Sequence, residues 1–185
     1  MDAGALGVMV GNVETAEQAR AIVDAVKYPL MGKRGAGLGT AHNDYVAPDA
    51  DAYFALANRN TTVICQIEST TGLANLDAIA ATPGVDILCV GHNDLSVSMG
   101  IDGKFDHPDF LAALAKVVDA ANGHGKLAAA QPSNVKQAEA WFAAGFHVLS
   151  WKTDIALYRD ALKKEVDELD ALTGRVWACT APAAR

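Results

Sequence analysis

The 185-residue chain has no long apolar run, few cysteines and no excess of positive charge. No apolar segment approaches the ~20 residues of a membrane-spanning helix, and no signal peptide opens the chain, so we expect a cytoplasmic protein without a membrane partner. The three cysteines, at 65, 89 and 179, lack metal-site spacing and are expected to stay reduced. The net charge of -7 argues against a nucleic-acid partner, because such a partner needs a basic face.

Apolar residues make up 51% of the chain, enough for one domain with a sizeable core. Short apolar runs predict strands at 6–10, 62–67, 86–90, 126–130 and 146–151. Helical spacing predicts helices at 16–26, 50–58, 73–81, 108–122, 134–144 (capped by Ser133) and 153–172. This alternation indicates an α/β fold with a parallel sheet, either doubly wound or part of a (β/α)₈ barrel. A whole barrel usually takes about 250 residues, more than this chain has.

Two carboxylates follow consecutive predicted strands. Glu68 comes directly after 62–67, and Asp94 ends the segment Gly91-His-Asn-Asp94 that follows 86–90. The carboxyl ends of parallel strands meet at one edge of a sheet, so these side chains can converge. Oxygen ligands arranged in this way suit a hard divalent cation. The alternative is that both residues are ordinary helix-capping carboxylates.

Four segments together resemble one family of enzymes. They are Gly32-Lys-Arg-Gly-Ala-Gly37, Gln66-Ile-Glu68, Gly84-Val-Asp86 and the run from Val90 to Gly100. The chain is similar over residues 3–172 to the metal-dependent pyruvate aldolases of the HpcH/HpaI family, which includes 4-hydroxy-2-oxoheptanedioate and 2-dehydro-3-deoxyglucarate aldolases. The resemblance implies a (β/α)₈ barrel of the phosphoenolpyruvate/pyruvate type. About five of its eight units would form residues 1–172, followed by a tail, 173–185, without regular structure.

The resemblance also implies the chemistry and the site. Glu68 and Asp94 would bind Mg²⁺, Mn²⁺ or Co²⁺, and Gln66 would lie beside the substrate. The backbone N–H groups of Asn93 and Asp94 would hold the pyruvate carboxylate, as a helix N-terminus can. The reaction would be aldol cleavage of a 4-hydroxy-2-oxo acid to pyruvate and an aldehyde, with the cation acting as a Lewis acid.

Two further residues are candidates for catalysis, and each has an alternative role. His92 stands where the family usually has proline, and it is open to being a third ligand, a proton donor or, as we favour, a wall of the pocket. Arg34, in the glycine-rich loop, is a candidate anchor for a substrate carboxylate, or else a solvated arginine.

The first three strands of the family's barrel have no counterpart here, and the resemblance assigns to them an arginine that stabilises developing charge and a histidine that transfers protons. We therefore expect little activity from this chain alone. A non-catalytic relative that binds a metal or a 2-oxo acid is the competing interpretation, and a citrate-lyase-like C–C lyase is the second. Unpaired sheet edges and the apolar side of helix 153–172, with Ile155, Leu162, Val166 and Leu169, predict a homo-oligomer.

Overall fold

The computed structural model describes residues 1–173, in which five strands form one parallel sheet in chain order. The strands are β1 Gly7–Val10, β2 Thr62–Ile67, β3 Ile87–Val90, β4 Leu127–Ala130 and β5 Val148–Leu149. Every neighbouring pair runs parallel, so all strand ends of one kind lie along the same edge. We call the side where the strands end the carboxyl edge and the other side the amino edge.

Helices connect the strands, as the alternating pattern predicted. They are α1 Ala16–Val26, a 3₁₀ turn Ala41–Asn43, α2 Ala50–Asn60, α3 Thr70–Ala74, α4 Leu76–Ala80, α5 His92–Ser98, α6 Pro108–Gly123, α7 Val135–Ala143 and α8 Asp154–Thr173. Helix α1 begins at the predicted residue because Thr15 and Gln18 form a capping box. Helix α6 begins with Pro108 in its first turn, where a missing N–H carries no penalty.

The core lies mainly between one face of the sheet and the helices. Alternate residues of β2, Val63, Cys65 and Ile67, are buried in a large cluster with residues of α1, α4 and α6. In β3, Leu88 and Val90 belong to the same large cluster, whereas Ile87 and Cys89 form a smaller buried cluster with Ala129 of β4. Strand β3 is therefore buried on both faces, as expected of a central parallel strand.

Several predicted elements differ from those in the structure. The helix predicted at 73–81 is two short helices that meet at Asn75, whose side-chain amide donates to the carbonyl of Glu14. Asn134 rather than Ser133 caps α7, because the Asn134 side chain accepts from the backbone N–H of Gln137. The last predicted strand, 146–151, pairs over two residues only.

The chain divides into two compact units, Met1–Ser150 and a second that begins at Trp151 and whose described part is largely α8. The predicted domain boundary at 172 stays a prediction. The predicted tail, 173–185, and Cys179 lie outside the described residues, apart from Thr173 at the end of α8. None of the helices within residues 1–173 is long and apolar enough to cross a membrane.

Cys65 and Cys89 are free and buried in the sheet. Burial raises the pKa of each thiol to about 11, and in Cys89 the charge of Glu68 acts in the same direction. Both residues therefore behave as small apolar core residues, as their position in the predicted strands indicated.

Candidate metal and substrate site

The carboxylate of Glu68 lies at the carboxyl edge, one residue beyond β2, and both of its oxygens accept hydrogen bonds. The backbone N–H of Asn12 donates to Oε1 at 2.6 Å, and Nε2 of Gln66 donates to Oε2 at 2.7 Å. The two donors come from different strand ends, β1 and β2. The half-buried carboxylate is thus held in one orientation, and each oxygen keeps lone-pair capacity for a further partner.

Two glycines let the backbone approach this carboxylate closely. A Cβ at Gly91 would lie 2.6 Å from Nε2 of Gln66 and 2.7 Å from Cβ of Glu68, and a Cβ at Gly11 would lie 2.9 Å from Oε1 of Glu68. Real Cβ atoms essentially never come closer than 3.0 Å to such neighbours. Glycine is therefore needed at position 91 to leave room for Glu68 and Gln66.

The segment between β1 and α1, residues 11–15, is the β1–α1 turn, and it is tied to the end of β2 and to α3. Val13 is buried, and its N–H donates to the carbonyl of Gln66 at 3.1 Å. The carboxylate of Glu14 accepts from Oγ of Ser69 at 2.6 Å, and Ser69 caps α3. These contacts hold the turn against the residues on both sides of Glu68.

Asp94 lies in the first turn of α5, which begins directly after β3. Ile67 pairs with Val90, so the residues after the two strands, Glu68 and Gly91, are neighbours at the carboxyl edge. Asp94 is exposed and accepts no hydrogen bond from residues 1–173. The first intrahelical bond runs from Leu95 to Gly91, so by position the N–H groups at the start of α5 have no intrahelical acceptor.

His92 is buried against aromatic rings and is 7% exposed. Its ring lies 5.0 Å from that of Phe105 and 5.5 Å from that of Trp141, and Nε2 is 3.3 Å from Oγ of Ser133. Burial lowers the pKa of His92, while the charge of Asp94 acts in the opposite direction. The imidazole is therefore neutral, and it links the start of α5 to the loop before α7.

The donor set at this edge fits a divalent cation of the Mg²⁺ type. Within residues 1–173 no cluster of three or more His, Cys, Asp or Glu side chains is placed to hold a metal. Mg²⁺ is commonly bound by one or two carboxylates, with water and substrate oxygens completing the shell. Glu68 and Asp94 supply that number of carboxylates, and Glu68 already has a fixed orientation.

The structure does not bring Arg34 to these residues. Helix α1 runs back from the carboxyl edge, so the loop after it starts near the amino edge, and the N–H of Arg34 donates to the carbonyl of Lys27. The buried guanidinium pairs with Asp2 at 2.5 Å and lies 4.6 Å from the ring centre of Tyr28. It lines a cavity of about 160 Å³ with residues that precede β1 and β2, Leu6 and Thr61.

The contact of Asn12 with Glu68 and the close approach at Gly91 were not predicted from the sequence. A signal was present at Asn12, because Gly11-Asn12 follows an apolar strand and asparagine tolerates the left-handed backbone conformation. Asn12 has φ 53°. Which acceptor its N–H would meet depends on the pairing of β1 with β2 and is not legible in the local sequence.

Comparison with known proteins gives matches over most of the chain. The model of the HpcH/HpaI aldolase/citrate lyase family matches residues 1–161. The 5-keto-4-deoxy-D-glucarate aldolase of Shigella dysenteriae serotype 1 is 34% identical over 167 residues, which cover 90% of this chain and 64% of that protein. The chain thus spans 64% of the length of the curated relatives it matches.

Two crystal structures match the fold. An HpcH/HpaI aldolase from Desulfitobacterium hafniense DCB-2 has a TM-score of 0.84 and 28% identity, over 90% of this chain and 64% of that one. An HpcH/HpaI aldolase/citrate lyase family protein from Burkholderia cenocepacia J2315 has a TM-score of 0.80 and 31% identity, over 91% and 66%. The predicted fold, five strand-helix units of such a barrel, is confirmed.

Replacing Gly91 by alanine should destabilise the protein and displace Glu68. The added Cβ would overlap Gln66 and Glu68, and overpacking of this kind costs about 1–3 kcal/mol. Urea unfolding followed by circular dichroism measures this cost. Gly123→Ala is the matched control, because its Cβ meets no atom within 4 Å and alanine favours the helix. Equal unfolding midpoints for the two variants would contradict the close approach.

The lowered pKa of His92 predicts a pH-dependent stability. The unfolded chain takes up a proton near the usual value of 6.5, whereas the buried ring resists protonation. The unfolded state therefore binds more protons as the pH falls below that value, and folding loses stability. Between about pH 7 and about pH 5, the free energy of unfolding should fall more steeply in the wild type than in His92→Gln. Identical slopes in urea titrations would show that the ring titrates normally.

Proposed function

Because the chain belongs to the HpcH/HpaI aldolase/citrate lyase family, we propose that it forms the cation-binding part of a class II pyruvate aldolase. The reaction is the reversible cleavage of a 4-hydroxy-2-oxo acid into pyruvate and an aldehyde. The observation that carries this proposal is the carboxylate of Glu68, held by two donors beside the start of the helix that bears Asp94. The family relatives that this chain resembles include an aldolase for a sugar acid.

Glu68 and Asp94 would hold the divalent cation, which is Mg²⁺, Mn²⁺ or Co²⁺ in this proposal. Hard oxygen donors favour such ions over softer ones. When bound, the cation supplies Lewis-acid chemistry at the 2-oxo group of the substrate. It also gives the site a local positive charge, so an anionic substrate is compatible with the chain's net charge of -7.

Gln66 has two tasks in this proposal. Its Nε2 donates to Oε2 of Glu68 and so orients the carboxylate. Its amide oxygen and second amide proton are left for substrate or water, consistent with the place that the family resemblance gives to this residue. The substrate carboxylate is assigned to the backbone N–H groups of Asn93 and Asp94, which by their position in the first turn of α5 have no intrahelical acceptor.

His92 forms a wall of the site in this proposal rather than serving as its base. The neutral ring packs between Phe105 and Trp141, and Nε2 faces Ser133. Its contacts fix the entry of α5 and thereby the backbone that is assigned to the substrate carboxylate. The group that removes the proton from the C4 hydroxyl is left unassigned within residues 1–173. Localisation in the cytoplasm remains our prediction, supported by the free thiols of Cys65 and Cys89.

The second candidate function is a non-catalytic protein that binds a metal ion or a 2-oxo acid. A citrate-lyase-like reaction on a thioester is the third candidate. It has less support, because a nucleotide-bearing thioester needs a basic patch that the sequence does not indicate.

Calorimetric titration with Mn²⁺ tests the metal proposal. We expect one site in the wild type and its loss in Glu68→Ala, because one of the two protein carboxylates is removed. Asp94→Ala should weaken binding in the same direction. Glu17→Ala, an exposed carboxylate in α1, is the control and should bind as the wild type does. Unchanged binding in Glu68→Ala would remove Glu68 from the site.

A coupled pyruvate-release assay with 4-hydroxy-2-oxo acids and Mn²⁺ tests the reaction. We expect the 185-residue chain alone to be slower by at least ~10²–10³ than a longer version that supplies the remaining strands, because a positioned charge-stabilising donor typically contributes that much. Glu68→Ala in the longer version should abolish turnover. Equal turnover by the short chain would show that no residue outside it is required. Binding without turnover in both versions would favour the non-catalytic candidate.

Assembly into a homo-oligomer is part of the proposal. In α8, four apolar side chains are exposed on a common side: Ile155, Leu162, Val166 and Leu169. Light scattering at micromolar concentration should give a mass above that of one chain, and Leu162→Glu with Leu169→Glu should lower it. Ala171→Glu, on another side of the helix, is the control. A monomeric wild type would contradict this prediction.

A further inference from the structure

We propose that Asn12 is a positioning residue whose left-handed backbone sets the affinity of Glu68 for a divalent cation. This inference rests on the proposed function, because it takes Glu68 as a metal ligand. It assigns a role to the β1–α1 turn, and it places that role in the backbone of Asn12 rather than in its side chain.

The first observation is the hydrogen bond from the N–H of Asn12 to Oε1 of Glu68. At 2.6 Å it is shorter than the usual N–H···O distance of about 2.9 Å, as charge-assisted bonds are. Asn12 and Glu68 are far apart in sequence and lie at the ends of adjacent strands, β1 and β2. The bond therefore connects the metal carboxylate to a different strand-helix unit.

The second observation is the backbone conformation that aims this N–H. Asn12 has φ 53°, in the left-handed region that few residues other than glycine, asparagine and aspartate occupy readily. The side chain of Asn12 is exposed and makes no hydrogen bond within the described part of the chain. What the position requires is thus the dihedral angle and the N–H, and asparagine supplies both.

The third observation is that the turn around Asn12 has little freedom to move. Buried Val13 donates to the carbonyl of Gln66, and a Cβ at Gly72 of α3 would lie 2.9 Å from the carbonyl oxygen of Val13. On the other side, the carboxylate of Glu14 accepts from Oγ of Ser69, and its carbonyl accepts from the side-chain amide of Asn75. A β1–α1 turn that is fixed by these contacts can keep the carboxylate of Glu68 in one orientation.

The consequence for the cation follows from preorganisation. With the N–H of Asn12 on one oxygen and Gln66 on the other, Glu68 does not have to be ordered when a cation binds. Removing a group that hydrogen-bonds to a metal-ligating side chain typically weakens metal affinity by 10- to 100-fold. Loss of the Asn12 N–H should therefore weaken the cation site without removing any ligand atom.

Three substitutions at one position separate backbone from side chain. Asn12→Gly keeps the N–H and the left-handed conformation, Asn12→Ala keeps the N–H but is strained at φ 53°, and Asn12→Pro removes the N–H and cannot adopt that φ. Calorimetric titration with Mn²⁺ should find Asn12→Gly close to the wild type, Asn12→Ala weaker and Asn12→Pro weaker by at least tenfold. A circular dichroism melt checks that each variant folds.

A second measurement needs no metal. In ¹⁵N–¹H spectra of the metal-free chain, the Asn12 amide proton should move upfield and exchange faster in Glu68→Ala, since its charged acceptor is gone. Glu17→Ala should leave that resonance in place.

The outcomes separate the two proposals. This inference is overturned if the chemical shift and exchange rate of the Asn12 amide proton do not change in Glu68→Ala. It is also overturned if Asn12→Pro folds and binds Mn²⁺ like the wild type. If Asn12→Pro does not fold, equal affinities of Asn12→Ala and Asn12→Gly overturn it. If the wild type binds no Mn²⁺, the proposed metal site and the affinity role fall together, and the amide response then decides only whether Asn12 positions Glu68. Binding that Glu68→Ala abolishes and the Asn12 variants weaken in the stated order supports both.

Discussion

The parallel register between β2 and β3 is the constraint on which the candidate site depends. Ile67 pairs with Val90, and this pairing sets Glu68 beside Gly91 at the carboxyl edge. A slip of one residue would turn the apolar residues of β2 away from the core, so burial of Val63 and Cys65 excludes such a slip. A slip of two residues would move Glu68 by ~7 Å along the strand. The packing of the core therefore constrains where the carboxylates of Glu68 and Asp94 lie, although these side chains contribute little to the core.

Much of the architecture was predictable because each element carries its own local signal. The apolar runs of β2 and β3 are long enough to specify buried strands, and the capping box at Thr15 specifies the start of α1. The break of the helix at Asn75 was not predictable from a local pattern, since the contact that accompanies it is a tertiary bond to the carbonyl of Glu14. The shortness of β5, which pairs only with the last two residues of β4, was not predictable from its apolar run either.

In the candidate site, too, some features have a local sequence signal and others depend on tertiary contacts. The positions of Glu68 and Asp94 shortly after β2 and β3 were predictable, because the distance of a residue from a strand end can be read from the sequence, whereas their role as metal ligands stays a prediction. The place of Arg34 was not, because a loop pattern does not tell which edge of a sheet it reaches, and here the guanidinium meets Asp2 and Tyr28. The role of His92 was open between a ligand, a proton donor and the favoured wall of the pocket, and the rings of its neighbours support the wall. Hydrogen bonds from backbone groups, such as that of Asn12, leave almost no trace in sequence.

The pairing of β1 has a consequence for the order in which the chain folds. Gly7 pairs with Thr62 across a long intervening segment, whereas Ile64 pairs with Ile87 and Ala129 with Val148 over much shorter ones. Closing a long loop is entropically more costly, so contacts between distant residues tend to form late. We therefore expect β2 to pair with β3 before β1 docks onto β2. Since β1 leads directly into the turn that holds Glu68, we expect the bond from Asn12 to Glu68 to form only when β1 docks, and a local opening of β1 would break it again.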